Sequence, residues 1–480
     1  MGDAAPCGDG DAAPTRAGGV RRVAVVGAGA AGLVTAKNLR EEGLRAVVFE
    51  AAPQVGGTWD IANANSSMYT NLRTNLPDCV MEYPDFPFRA QQYGVPDSSF
   101  PSHTAVQHYL LDYAAAHDLM PLVRLNTAVQ YAGPLPGGKW SLRTVSTLET
   151  SADVAQAQIE EFDALVVCNG HYTVPKMPSD TEIPGLSSFA GLLMHSHSYK
   201  SAHDLFRSER AGAQSAPKRV VLLGAGNSGI DIAIEIAQAF PAAEVVLSHR
   251  KCKGNASQAQ LLTYGSGPKQ VRLRERREIV RVDGTDWRTV HFADDVGAMQ
   301  DVDAILLCTG YHYAFPFLSP EAGVDWQSEP GCVTPLYKHV FCIPRPSVAF
   351  VGLPWKVAPF PLFYFQSRWI AAVFSGRAVL PSQSEMHADR EREQQLREGD
   401  MGLPRRYMHM LEQRQWEYNR VVADLAHVPP DAPVRRAIYA DCAAARRHDP
   451  VAYRRRKYIP LGLHERDFRV LVDSNDVTPP

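Results

Sequence analysis

The chain is short of several things, and each shortage removes a class of protein. Its 480 residues carry eight cysteines, at 7, 79, 168, 252, 308, 332, 342 and 442, with no CxxC pair and no tight cluster. That spacing disfavours zinc knuckles and iron–sulfur centres, and the density is too low for a secreted disulfide scaffold. Several cysteines sit in apolar stretches such as LVVCNG and LLCTG, where a buried, inert thiol is expected. Net charge is only -3, so nothing pulls the chain as a whole toward nucleic acid or an anionic membrane. No stretch approaches the roughly 18 apolar residues of a membrane-crossing helix. Residues 1–19 lack the apolar core of a signal peptide, and Pro6 stands where a myristoylation signal calls for Ser or Thr. They read as a disordered tail ahead of a soluble, cytoplasmic protein with no membrane anchor.

What remains is an ordinary globular composition, 45% apolar and 21% charged, long enough for two or three domains. Order begins with a short apolar strand, a glycine turn, a helix over about Ala30 to Glu42 and a second strand ending at Glu50, which is a βαβ unit. Gly56 to Gln92 is too irregular for one element. A helix is expected from Ser102 to His117, capped by Ser102 and spaced by Val106, Tyr109, Leu110 and Tyr113. Short strands follow from Val123 to Val167, the last running parallel into a glycine loop. After a proline-punctuated connector the first pattern returns whole: strand, GAGNSG, helix, strand. DVDAILLCTGYHY then echoes the earlier EFDALVVCNGHYTVP. The charged runs DREREQQLREGD and AYRRRKY read as solvated faces.

The chemistry follows from the glycines. Gly27 permits a tight turn, Gly29 lets the backbone approach a pyrophosphate drawn to the helix N-terminus, and Gly32 lets helix and strand pack closely. Glu50 stands at the distance that holds a ribose diol, which suits FAD. The second set is Gly224, Gly226 and Gly229, with Asn227 and Ser228 opening the helix. No acid ends its second strand. Ser248 and Arg250 do, and these welcome a 2′-phosphate, so the second nucleotide reads as NADPH. The expected fold class is α/β, with two Rossmann-like dinucleotide-binding domains and the NADPH domain inserted in the FAD domain. The expected boundaries are a tail at 1–19, FAD domain at 20–214, NADPH domain at 215–305 and returning FAD domain with a helical or irregular tail at 306–480. Two such cofactors imply hydride transfer from nicotinamide to flavin. With no dithiol pair after the first unit, the electrons are expected to pass to oxygen or directly to a small molecule.

Five stretches together resemble the flavin-containing monooxygenases, among the class B flavoprotein monooxygenases, over about residues 20 to 380. The signature FxGxxxHxxx(Y/W) is matched by Phe189, Gly191, His195 and Tyr199. The family's flavin-region motif is matched by Tyr69, Leu72, Thr74, Asn75 and Pro77. GNSGIDIAIE with its later S-x-R, LLCTGY, and the helix holding Gln366 and Trp369 complete the likeness. The resemblance implies that NADPH reduces FAD, that oxygen adds at flavin C4a, and that a soft nitrogen or sulfur nucleophile of a small molecule takes the distal oxygen. It implies flavin contacts from Gly57, Thr58, Trp59, Thr74, Val129, Gly310 and Gln366, a place for Tyr199 beside the nicotinamide nucleotide, and a catalytic role for Asn75. An uncharged amide offers both donor and acceptor to a bound peroxide. Vertebrate members commonly carry a C-terminal hydrophobic anchor, which is absent from this sequence.

Rival readings stay open at this point. Baeyer–Villiger members resemble a signature ending in Trp and usually Pro, where this chain has Tyr199 and Lys200. An NADPH oxidase releasing peroxide, a decarboxylating or amino-acid N-hydroxylating member, and a non-catalytic redox sensor are the others. Assembly as a homodimer is left open. His195 and His197 have strand spacing for one metal, but no acid or cysteine stands at motif distance, so no metal site is expected. His195 is expected instead to order the connector between the two nucleotide units.

Overall fold

The structure is a computed structural model that describes residues 21–94, 99–148, 157–206, 216–250, 252, 260–265 and 270–472. The expected tail at 1–19 lies outside those residues. The chain divides into two compact units, each assembled from separated segments.

One unit comprises the described parts of Met1–Val55, Tyr113–Gly170 and Tyr313–Asp431. Its sheet runs in the order Leu336–Tyr337, Phe341–Cys342, Val348–Phe350, Ala164–Val167, Arg22–Val26, Arg45–Phe49, Val123–Arg124. Arg22–Val26 lies parallel to Arg45–Phe49 on one side and to Ala164–Val167 on the other, Val25 facing both Val48 and Val166. A strand flanked on both edges and covered on both faces must be apolar throughout, which is what Val23, Ala24 and Val25 supply. The first helix runs from Ala30 to Glu41, one residue short of expectation, and is buried continuously from Ala30 to Leu39. It packs on the late helix Pro359–Phe374, where Asn38 donates to the Ser367 hydroxyl at 2.7 Å. The strands expected between Val123 and Val167 include an antiparallel meander, Thr127–Pro134, Trp140–Ser146 and Gln158–Phe162.

The other unit comprises the described parts of Gly56–Asp112, His171–His312 and Ala432–Pro480. Its sheet order is Gln260–Tyr264, Val271–Arg276, Glu244–Ser248, Arg219–Leu223, Ala304–Leu307, Leu192–His195. The second βαβ repeat is present as read: Arg219–Leu223, the helix Asn227–Ala239, and Glu244–Ser248 parallel to the first strand. Ala304–Leu307 flanks it on the other side, as its echo of the earlier strand implied. The helix expected at Ser102–His117 spans His103–Ala116, and the Ser102 hydroxyl accepts from the Ala105 amide at 3.2 Å.

The first charged run is a largely exposed face, as read, with Arg397 the exception. It forms the helix Gln383–Gln395, opened by a capping box between Ser382 and Glu385, and continues as a wider π turn over Leu396–Asp400. Within it Arg397 is only 2% exposed. Its guanidinium meets Glu393 at 2.9 and 3.0 Å and donates to the Met410 carbonyl at 3.0 Å. Burial of a charge is tolerated where each donor finds an acceptor, and here the chain folding back at 407–410 provides them. Arg397→Met would leave Glu393, among the described residues, with His339 at 3.4 Å as its remaining ion-pair partner. That substitution is expected to cost about 3–5 kcal/mol in urea unfolding; an unchanged midpoint would show that the pair contributes nothing.

Candidate functional site

The two glycine turns are built alike. Gly27 has φ +100° and Gly224 φ +114°, a region closed to most side chains. A Cβ on Gly27 would stand 2.6 Å from the Cys168 carbonyl oxygen, and one on Gly224 2.4 Å from that of Cys308. A Cβ on Gly32 would stand 1.8 Å from the Gly27 oxygen, and one on Gly229 1.9 Å from the Gly224 oxygen. Each turn is therefore compressed between the helix behind it and the next parallel strand. Each helix starts from a glycine cap, Gly29 or Gly226, which has no side chain to cap the amides that follow. Space in front of Gly226 is open, with no atom within 4 Å of a Cβ placed there. A glycine-capped helix N-terminus with its dipole fits a pyrophosphate at each turn, and at the second the approach is open.

The acid and base ends differ as the residues imply. Glu50 is buried; its carboxylate accepts from the Ala28 amide at 2.7 Å and from the Ala52 amide at 2.9 Å, which fixes it at the rim of the first turn. At the second site Ser248 is fully buried and donates to the Arg277 carbonyl at 2.8 Å. Arg250 is exposed, as are Asn227 and Ser228 at the helix start. The strand end thus carries an exposed cation, with its serine turned inward.

The sequence-derived residues fall into two groups. Gly27, Gly29, Gly32, Glu50, Val129 and Gln366 belong to the first unit. There Val129 lies half-buried in the meander, and Gln366 is fully buried, accepting from the Gly352 amide at 2.9 Å and donating to the Tyr418 hydroxyl at 2.7 Å. Gly57, Thr58, Trp59, Thr74, Asn75, Tyr199, Gly310, Gly224, Gly226, Asn227, Ser228, Gly229, Ser248 and Arg250 belong to the second. Gly57, Thr58 and Trp59 form a short 3-10 turn. Thr74 is buried and its hydroxyl donates to the Leu76 carbonyl at 2.8 Å, closing a turn around Asn75. Asn75 is half-buried, and among the described residues none hydrogen-bonds its side-chain amide.

The Phe189–Lys200 motif is a brace. Phe189 lies in the apolar core below the second sheet, and Gly191 leaves room where a Cβ would meet the Asp303 carbonyl at 2.6 Å. His195 Nδ1 accepts from the His197 amide at 3.1 Å. The ring proton therefore sits on Nε2, which donates to the Gly310 carbonyl at 3.1 Å. Tyr199 is fully buried and meets Tyr69 edge-to-face at 5.6 Å. Lys200 donates to the Ser66 and Met68 carbonyls at 3.0 Å each, and its own carbonyl accepts from Thr70. The motif thus holds both the Gly310 turn and the loop leading to Asn75. In the sequence Lys200 stands out only as a departure from another signature; its carbonyl partners come from a distant segment and leave no local pattern.

The comparisons with known proteins agree with this geometry. The model of the family described as flavin-binding monooxygenase-like matches residues 20–266 and 278–431. The chain belongs to that family. It is 37% identical over 433 residues to Flavin-containing monooxygenase FMO GS-OX-like 2 of Arabidopsis thaliana, covering 85% of each chain. It is 38% identical to FMO GS-OX5 of the same plant, again covering 85% of each. Among solved structures, S-allyl-L-cysteine S-oxygenase from Allium sativum superposes with a TM-score of 0.78 at 34% identity, over 90% of this chain and 94% of that one. The resemblance in the motifs and the α/β reading with paired Rossmann-like units both hold. This family member has, among its described residues, no helix long and apolar enough to cross a membrane.

Burial pushes the His195 pKa below its ordinary 6.5, and the bond to Gly310 only partly opposes this. Burial does the same to His103 and His197. The unfolded chain accepts these protons more readily than the folded one, so stability is complete above pH 6.5 and falls as the pH drops through and below that value. His195→Asn is expected to flatten that loss in thermal unfolding between about pH 7 and 5. An identical slope in the variant would assign the pH dependence elsewhere.

Proposed function

We propose that this chain is an FAD- and NADPH-dependent monooxygenase that places one atom of O2 on a soft sulfur or nitrogen of a small molecule. The second atom leaves as water, with NADPH as the two-electron donor. The observation that carries the reading is the pair of matched, compressed glycine turns in one chain, one rimmed by Glu50 and the other ended by Arg250. A carboxylate suits an unphosphorylated ribose and repels a 2′-phosphate; a guanidinium attracts one. Likeness to an S-oxygenase at 34% identity supports a thioether sulfur as the first substrate to try.

In this reading Gly27, Gly29, Gly32 and Glu50, with Gly57, Thr58, Trp59, Thr74, Val129, Gly310 and Gln366, hold FAD. Gly224, Gly226, Asn227, Ser228 and Gly229 cradle the NADPH pyrophosphate. Arg250 meets the 2′-phosphate, while Ser248 fixes the strand end from inside. Tyr199 supports this region from the core. In sequence terms, 215–305 serves NADPH, and 20–214 with 306–480 serves FAD. Bound flavin supplies the oxygen activation, and the residues of this chain align the two nucleotides and exclude water. Asn75 offers a neutral amide to the reacting oxygen without giving up a proton to it.

The decisive experiment scores product, not NADPH loss, on a panel of a thioether, a tertiary amine and a ketone. Sulfoxide or N-oxide formed in step with NADPH use is the expected result. An ester from the ketone, peroxide alone, or no flavin bleaching by NADPH would each overturn the reading. Arg250→Ala is expected to raise KM for NADPH by about tenfold or more and to leave KM for NADH nearly unchanged. Asn75→Ala is expected to keep NADPH oxidation and divert most of it to hydrogen peroxide, read by a peroxide assay beside product yield.

A further inference from the structure

We propose that Arg454, in the basic stretch near the C-terminus, is a positioning residue that ties the Asn75 turn to the second fingerprint helix. The Asn75 amide and a nicotinamide nucleotide bound at that helix are thereby held in one register. This rests on the roles given above to Asn75 and to the second glycine turn.

Arg454 reaches two elements far from it in sequence. Its guanidinium pairs with both oxygens of Asp231, at 2.6 and 3.2 Å. Asp231 lies one turn into the helix Asn227–Ala239. On the other side Nε donates to the Thr74 carbonyl at 3.0 Å, and Nη2 lies 3.4 Å from the Arg73 carbonyl. The Thr74 carbonyl belongs to the peptide that leads into Asn75. The side chains of Arg454 and Asp231 are 19% and 12% exposed, so water screens this pair weakly. Only the planar fork of an arginine can grip a carboxylate with one edge and a backbone carbonyl with its Nε.

The arm that carries Arg454 is itself fixed. The Asp449 carboxylate accepts from the Val451 and Ala452 amides at 2.8 and 2.9 Å. Tyr453 is buried and packs edge-to-face on Phe100 at 5.2 Å. The Asn75 turn is meanwhile held at its start by the Thr74 amide, which donates to Pro101, and inside by the Thr74 hydroxyl. What remains unpaired among the described residues is the Asn75 side-chain amide. A backbone held this firmly around an unpaired amide is the arrangement expected of a preorganised contact. The basic run therefore does not simply face solvent. Arg456 pairs with Asp441 at 2.8 Å, whereas Arg454 turns inward to the turn and the helix.

The test is hydrogen exchange on the full-length, flavin-loaded enzyme. In Arg454→Met, amides of Arg73 to Cys79 are expected to exchange about tenfold faster or more, with the strand Arg219–Leu223 keeping its protection. Added NADP⁺ should slow exchange at this turn in the wild type and no longer do so in the variant. Product per NADPH should fall while the rate of NADPH oxidation holds. Arg454→Lys, which keeps the charge beside Asp231 and loses the fork, should restore only part of the protection. Asp231→Asn carries the same test should Arg454→Met fail to fold. Wild-type exchange at 73–79 in the variants would overturn the proposal. An error in the Asn75 reading shows separately, as Asn75→Ala with wild-type coupling.

Discussion

Both units depend on one close approach. The third glycine of each fingerprint brings its helix so near the first glycine that a methyl group would overlap a carbonyl oxygen, at 1.8 Å in one turn and 1.9 Å in the other. The first glycine is pressed from the far side by the carbonyl of the next parallel strand, at Cys168 or Cys308. This compression aims the helix N-terminus over the strand ends. Everything read as nucleotide binding follows from that placement. The apolar strands Val23–Val26 and Val220–Leu223 matter because they hold the turn from below.

A second layer of order comes from groups that fasten loops. His195 secures the Gly310 turn, Lys200 secures the Ser66–Met68 carbonyls, and Arg454 secures the Thr74 carbonyl. All three act on backbone oxygens, so they fix position without specifying the residues they grip. Irregular segments such as 56–75 cannot satisfy their own carbonyls by a regular ladder. Long polar side chains from elsewhere supply the missing donors, and the loops acquire one conformation.

The regular part of the fold was legible because it rests on local signals. Valine-rich strands, GxGxxG and the amphipathic helix Asn227–Ala239 announce a βαβ unit wherever they occur, and the repeat announced itself twice. Ser102 marked a helix start within one residue. The charged runs were less legible. Arg397 and Arg454 sit among neighbours that read as solvated, and nothing adjacent in sequence distinguishes them. Arg397 is buried and Arg454 turned inward because acceptors from elsewhere in the chain, Met410 in one case and Asp231 with Thr74 in the other, make the loss of water tolerable.

The sequence by itself determined the two glycine turns, their order, and the different charge at the end of each second strand, since these depend on glycine geometry and on residues a few positions apart. Only the tertiary structure decided what the polar side chains do. It turned Ser248 inward and left Arg250 outside, gave His195 its tautomer, and brought Arg454 to the Asn75 turn. Those outcomes turn on which donor and acceptor lie within about 3 Å of each other, and that distance is set by how the chain folds back, across 29 residues for Ser248, 115 for His195 and Gly310, and 380 for Arg454.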